Sequence, residues 1–152
     1  MRIKALLFIF LLILVAAGCS SAGKGGFFPD TPKASEDKIN FTLTAYDTDI
    51  DDPAMDRRCY YRVYINKIDS GRTTTGLESQ EKYFETSLTT NRHLVKLEKW
   101  VLDEEQGRYL KVNNIEQPKP DFIYITVPES AKIKIIMRST KFGNAAFSKT
   151  LE

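Results

Sequence analysis

The chain has 152 residues and carries 22 lysines and arginines against 20 aspartates and glutamates, a formal net charge of only +2. That balance excludes the basic excess by which a nucleic-acid-binding domain attracts phosphates. Aromatic residues make up 11% of the chain, enough to build a core and to exclude wholesale disorder, and the length suits one domain.

At the N-terminus, Arg2 and Lys4 precede an uninterrupted apolar run from Ala5 to Ala17, 13 residues long. A membrane-spanning helix needs roughly 20 residues, whereas the apolar core of a secretory signal needs about 7–15. Val15-Ala16-Ala17-Gly18-Cys19 then resembles the lipobox of bacterial lipoproteins, with Ala16 where that family prefers Leu. The resemblance implies that residues 1–18 are removed as a signal peptide and that Cys19 is acylated, for example with palmitate. Ser20 in place of Asp implies sorting to the outer membrane, with the folded part in the periplasm or at the cell surface. Arg2 and Lys4 leave with such a signal, so the remaining 134 residues balance at 20 basic and 20 acidic. Stable anchoring takes two or more acyl chains, since one chain binds marginally and each buried CH₂ adds about 0.8 kcal/mol.

Residues 19–38 are small, polar and punctuated by Gly and Pro, the composition of a flexible tether. Phe27-Phe28 is its one apolar point, with three destinations open: the lipid interface, a partner, or the domain's own edge. Cys59 is the only other cysteine, so acylation of Cys19 leaves the domain without an internal disulfide. Cys59 itself reads as a small, partly buried residue at the start of a strand.

From Lys38 onward the pattern turns to period two, the signature of half-buried strands. Ile39, Phe41, Leu43 and Ala45 alternate with Asn40, Thr42 and Thr44, and Tyr61, Val63 and Ile65 with Tyr60, Arg62 and Tyr64. Further strands are predicted at Tyr83 to Leu88, His93 to Leu102, Gly107 to Asn113, Phe122 to Val127, Ile133 to Met137 and Ala146 to Leu151. Phe122 to Val127 is apolar on both faces, which predicts a central strand, while Ala146 to Leu151 is predicted as an edge. Asp69-Ser70-Gly71 signals a hairpin turn, Asn113-Asn114 and Gly143-Asn144 signal turns, Pro118-Lys119-Pro120 a stiff bend, and Leu77 to Lys82 a single helical turn. The expected fold is all-β, one antiparallel β-sandwich over residues 39–152 of immunoglobulin- or transthyretin-like type with about 7–8 strands.

Asp47-Thr48-Asp49-Ile50-Asp51-Asp52-Pro53 is the best metal candidate, because carboxylates at Asp47, Asp49 and Asp51 can converge on Ca²⁺. The EF-hand spacing fails, with Asp52 at the glycine position and Arg58 at the bidentate glutamate, so a solvated turn is the simpler reading and no metal is expected. His93 is the only histidine, which excludes a two-histidine zinc site, and a Cys59–His93 dyad has no supporting motif. No Gly-rich phosphate loop and no Gly-x-Ser-x-Gly occurs, so neither a cofactor nor a catalytic residue is expected. Trp100 is expected in the core with its indole N–H bonded to a carbonyl; on the surface it marks an interaction hot spot.

Arg62-Val63-Tyr64-Ile65-Asn66-Lys67, Ser70-Gly71-Arg72-Thr73 and Thr86 through Leu97 together resemble a PEGA-type β-sandwich domain. Asn91-Arg92-His93 replaces that family's usual glycine step, and its Pro-Glu-Gly-Ala signature is missing. This resemblance implies a non-catalytic envelope module that binds or scaffolds an envelope protein. The order of lipid cysteine, tether, first strand, Asp/Pro loop and second strand is similar to the outer-membrane lipoprotein of type VI secretion systems, which implies docking on an inner-membrane partner. Sandwich loops gather at the two ends, which places the loop Asp47 to Pro53 and the hairpin Lys67 to Gly76 at opposite ends. The hairpin is the expected partner-binding element, through Lys67, Arg72 and Thr73.

Overall fold

Alternation of apolar and polar residues sets the strands. The computed structural model describes residues 39–152; residues 1–38, with the lipobox, Cys19, Ser20 and Phe27-Phe28, lie outside them. Ten strands follow in order: β1 (Phe41–Thr48), β2 (Arg58–Ile65), β3 (Ile68–Arg72), β4 (Gly76–Leu77), β5 (Lys82–Thr86), β6 (Arg92–Asp103), β7 (Arg108–Lys111), β8 (Phe122–Thr126), β9 (Ile133–Thr140) and β10 (Ala145–Leu151). A 3-10 turn, Pro53–Met55, sits between β1 and β2. Among the described residues no helix is long and apolar enough to cross a membrane.

Among the described residues the strands form two sheets and no barrel. One sheet runs β10-β9-β1-β5; the other runs β3-β2-β6-β7, with β4 also on β2 and β8 also on β6. Phe41, Leu43 and Ala45 of β1 and Ile133, Ile135 and Met137 of β9 pack into one core with Tyr61 and Val63 of β2 and Val95 and Leu97 of β6. The inward faces of both sheets share that core, a sandwich-like all-β arrangement.

The structure departs from the sequence pattern in four places. The sheets are not purely antiparallel: β9 runs parallel to β1, pairing Phe41 with Ile133 through Thr48 with Thr140. Strand β9 follows β8 of the other sheet, so it reaches β1 by a crossover and not by a hairpin. The hairpin after β2 turns at Asn66-Lys67, both left-handed with φ of 53° and 71°, the twist that suits a two-residue connection. Asp69-Ser70-Gly71 instead forms a β-bulge, where Val63 pairs with Gly71 and Tyr64 with Asp69. Gly71 takes φ 123° there and donates its N–H to Asp69 Oδ1 at 3.1 Å. β8 is not central, since it pairs only with β6 among the described strands and exposes Phe122 and Tyr124. Leu77 to Lys82 is not helical: Gly76–Leu77 pairs with β2, and a turn at Glu78-Ser79 leads into β5.

Candidate functional site

The inward phase of the strands carries charge at one end of the core. In β1, the phase of Phe41, Leu43 and Ala45 continues to Asp47; in β6, the phase of Val95 and Leu97 continues to Lys99. Asp47 and Lys99 side chains are 0% and 1% exposed, and Glu78, from the segment linking the sheets, is 4% exposed. Lys99 Nζ donates to an Asp47 oxygen and, at 2.6 Å, to Glu78 Oε1. The Tyr61 hydroxyl from β2 donates to the other Asp47 oxygen. Arg57 grips Glu78 with two guanidinium nitrogens at 2.8 and 3.2 Å and reaches Glu116 as well. Lys82, fully buried on β5, donates to the carbonyls of Leu77, Glu78 and Gln80 at 2.7, 3.0 and 2.6 Å, which uses all three of its protons.

Burial pushes the Asp47 carboxyl above its ordinary range, and the bonds from Lys99 and Tyr61 recover only part of that. Burial also raises Glu78, but Arg57 and Lys99 outweigh it and hold the carboxyl below its usual value. Burial works against the charge on Lys99 too, yet Asp47 and Glu78 together outweigh it and its pKa rises. These directions agree: Lys99 faces two carboxylates, Glu78 faces two cations, and Asp47 faces one. Burial lifts the Cys59 thiol to about 11, with Lys82 and Lys99 pulling the other way. Asp47, Lys99, Glu78 and Lys82 are sealed from solvent, with Arg57 and Glu116 at the cluster's exposed edge; the cluster joins β1 and β5 of one sheet to β2 and β6 of the other, so it serves as an internal brace.

Above the brace, three connections present apolar side chains to solvent. Met55, Ile115 and Phe142 are 47%, 64% and 69% exposed and line one groove of about 290 Å³. Each is held out by a pinned loop. Asp52 accepts the Ala54 N–H at 2.9 Å, and Asp56 accepts from the backbone and hydroxyl of Ser79 at 3.0 and 2.6 Å, which fixes the turn carrying Met55. Asn113 Oδ1 accepts from the N–H groups of Ile115 and Glu116 at 2.8 and 3.2 Å. The Gln117 side chain stands in for a strand neighbour, accepting from Lys99 N and donating to Lys99 O, both at 2.9 Å. Gly143, at φ 78°, lies so close to this loop that a Cβ would fall 2.2 Å from Gln117 O and 2.5 Å from Ile115 O. Lys141 also lines the first groove, and a second groove of about 280 Å³ shares Arg57, Asn113 and Glu116 with it and extends to Asp103 and Lys111.

The expected site residues separate in space. Asp47 is buried on Lys99 and Tyr61, whereas Asp49 and Asp51 are exposed in the following loop. The three cannot share a cation, and among the described residues no group of three or more His, Cys, Asp or Glu is placed to hold a metal ion. Thr73 is only 2% exposed, accepting the Tyr61 N–H at 3.0 Å and donating to Thr74 O at 2.9 Å, so it is not a contact residue. Lys67 sits at the turn tip, while Arg72 lies at the far end of β3 with its guanidinium 5.0 Å from the Tyr60 ring. Lys67 is thus remote from the acidic loop, as expected, but Gly76 pairs with Cys59 and returns to that loop's end.

His93 bonds Asn66 at 3.0 Å and the Thr89 carbonyl at 2.9 Å. Cys59 pairs with Val101, eight residues from His93 along β6, roughly 26 Å at strand rise, which rules out a dyad. Trp100 stands on the outer face of its sheet and not in the core. It stacks on Tyr60 at 6.2 Å, with Arg62 5.8 Å from its ring, and its Nε1 is buried without a partner.

No family model matches the sequence, and no curated protein matches it either.

Proposed function

We propose that this is a lipid-anchored, non-enzymatic binding module of the cell envelope, of immunoglobulin- or transthyretin-like type, that engages an envelope protein through the Met55–Ile115–Phe142 groove. The observation that carries this reading is the convergence of three exposed apolar side chains, from three separately pinned loops, on one end of the two-sheet body. An isolated exposed apolar residue needs no explanation; a contiguous set rimmed by polar groups marks a contact surface. The direction of β1 supports the same reading. The described chain begins at Ile39, at the start of β1, and the groove lies beyond its far end, roughly 25 Å away at strand rise. A tether from acylated Cys19 would thus join the body at the end opposite the groove and leave the groove unobstructed by its own attachment. The most unusual polar groups, Asp47, Lys99 and Glu78, are sealed from solvent and brace the sheets, which supports binding over chemistry.

The test compares detergent-extracted membranes on native gels. Wild-type protein is expected to migrate with a partner and to incorporate an alkyne fatty acid. Cys19→Ala is expected to lose the label and the membrane, and Phe142→Asp to stay labelled, folded and membrane-bound but to migrate alone. Unchanged co-migration of Phe142→Asp together with Met55→Asp removes the groove from the account.

A further inference from the structure

We propose that the open edge of β10 is a second contact surface, separate from the groove, which takes an acidic, extended protein segment as an added strand. Lys132 and Glu152 exchange both backbone hydrogen bonds at 2.9 Å. Bonded pairs of an antiparallel ladder recur at every second residue, here Thr150 with Lys134, Ser148 with Ile136 and Ala146 with Arg138. The N–H and C=O groups of Ala145, Phe147, Lys149 and Leu151 therefore point away from β9. Lys119 O accepts the Ala145 N–H at 2.9 Å, and the groups of Phe147, Lys149 and Leu151 meet no further strand among the described residues. β10 runs seven residues without Gly, Pro or a break in register. The other edges are blunted in ways that discourage strand addition. β3 is kinked by its bulge, β4, β7 and β8 are two, four and five residues long, and Thr74 bonds both backbone groups of Tyr83 on β5 at 2.8 and 2.9 Å.

Charge selects the segment. From Lys132 to Glu152 the chain carries Lys132, Lys134, Arg138, Lys141 and Lys149 against Glu152 alone. Three of these cations are turned elsewhere: Arg138 donates to the Tyr46 hydroxyl on β1 at 2.6 Å, Lys141 lines the loop-end groove, and Lys132 lies opposite Glu152 at the strand's end. Lys149 on β10 itself, Lys134 across Thr150, and Lys119 beside Ala145 remain. None of these three makes an ion pair or a side-chain hydrogen bond among the described residues. Lys149 is the one charge along the open row, and an acidic residue set opposite it forms a favourable cross-strand pair. A second copy instead sets two cationic hairpins against each other, which the same rule disfavours. The backbone row then supplies affinity, and the lysines supply the choice of partner. One added strand of this length binds weakly alone, so the contact adds to the groove and does not replace it.

The test uses the full acylated chain in neutral detergent micelles, with empty micelles as the blank and fluorescence anisotropy of dye-labelled peptides as the readout. Two probes alternate threonine with glutamate or with lysine. A third is the glutamate peptide N-methylated at every residue, which keeps its charge and removes its backbone donors. The glutamate peptide is expected to bind wild-type protein at least about tenfold tighter than either of the others and to weaken as salt rises. Lys149→Glu is expected to invert the preference between the charged peptides. Lys149→Pro removes an outward N–H that β9 does not use and is expected to abolish binding, whereas Lys149→Thr keeps that N–H and weakens binding only about threefold. Phe142→Asp is expected to leave peptide binding unchanged, while its behaviour on native gels judges the groove separately. Equal binding of both charged peptides overturns the acidic segment, and undiminished binding of the N-methylated peptide overturns strand addition. Peptide binding lost in Phe142→Asp moves the segment into the groove, and self-association of the wild type relieved by Lys149→Pro gives the edge to a second copy; either overturns the proposal. Binding of none of the peptides, or of anionic lipid vesicles in their place, overturns it as well.

Discussion

Replacing Lys99 with methionine keeps the length and apolar stem of the side chain and deletes only the ammonium that joins the two sheets. Asp47 then retains one partner, the Tyr61 hydroxyl, and becomes a buried charge without a cation; Glu78 keeps Arg57. Removing one member of a buried ion pair costs about 3–5 kcal/mol, because the other charge stays desolvated and uncompensated. Against a typical domain stability of about 5–15 kcal/mol, Lys99→Met is expected to fold only marginally, with a melting temperature lower by on the order of 15 °C or more. A triple variant, Lys99→Met with Asp47→Leu and Tyr61→Phe, removes charge, counter-charge and hydroxyl together. It is expected to regain at least about 2 kcal/mol over the single variant, since apolar replacement of a whole buried pair is often neutral. Urea titrations of the three proteins give both numbers. A Lys99→Met loss below about 1 kcal/mol, or a triple variant less stable than the single one, refutes the brace.

Glu78 makes the brace sensitive to acid. Its folded pKa lies below the ordinary 4.5, so its contribution is complete above that value and is lost as pH falls through the folded pKa. Glu78→Gln is expected to be less stable at neutral pH but to show a shallower fall below 4.5 in urea midpoints measured against pH. Gly143→Ala forces a Cβ onto the Ile115 and Gln117 carbonyls at a left-handed φ, and is expected to cost about 1–3 kcal/mol and to weaken groove binding together with it. Cys59, buried and with its thiol lifted to about 11, is expected to resist a thiol reagent in the native protein at pH 8 and to react only on unfolding; rapid labelling of the native chain contradicts that burial.

The strands β1, β6 and β9 were legible because period-two alternation survives along their whole length. The brace was legible in the same phase. Asp47 follows Phe41, Leu43 and Ala45 at the inward step, and Lys99 sits between Leu97 and Val101, so each charge falls where a core residue belongs. Reading Asp47 as the first residue of an acidic loop hid that, because local composition outweighed phase. The hairpin misled for a related reason: Asp-Ser-Gly is turn chemistry, but a β-bulge uses the same left-handed glycine, and Asn66 holds the real turn through bonds to Leu94 that lie 28 residues away in sequence. Trp100 lies one step out of phase with Leu97 and Val101, which assigns it to the outer face. The groove had no local signal, since Met55, Ile115 and Phe142 stand in three unrelated turns and only the topology brings them together.

The most direct test of the account is a photo-crosslinking residue placed at Phe142 or at Ile68, the latter 70% exposed beside the opposite turn, in protein anchored in intact cells. If the groove is the contact surface, position 142 gives a discrete protein adduct and position 68 gives none. Adducts from 68 alone, or equally from both, contradict it.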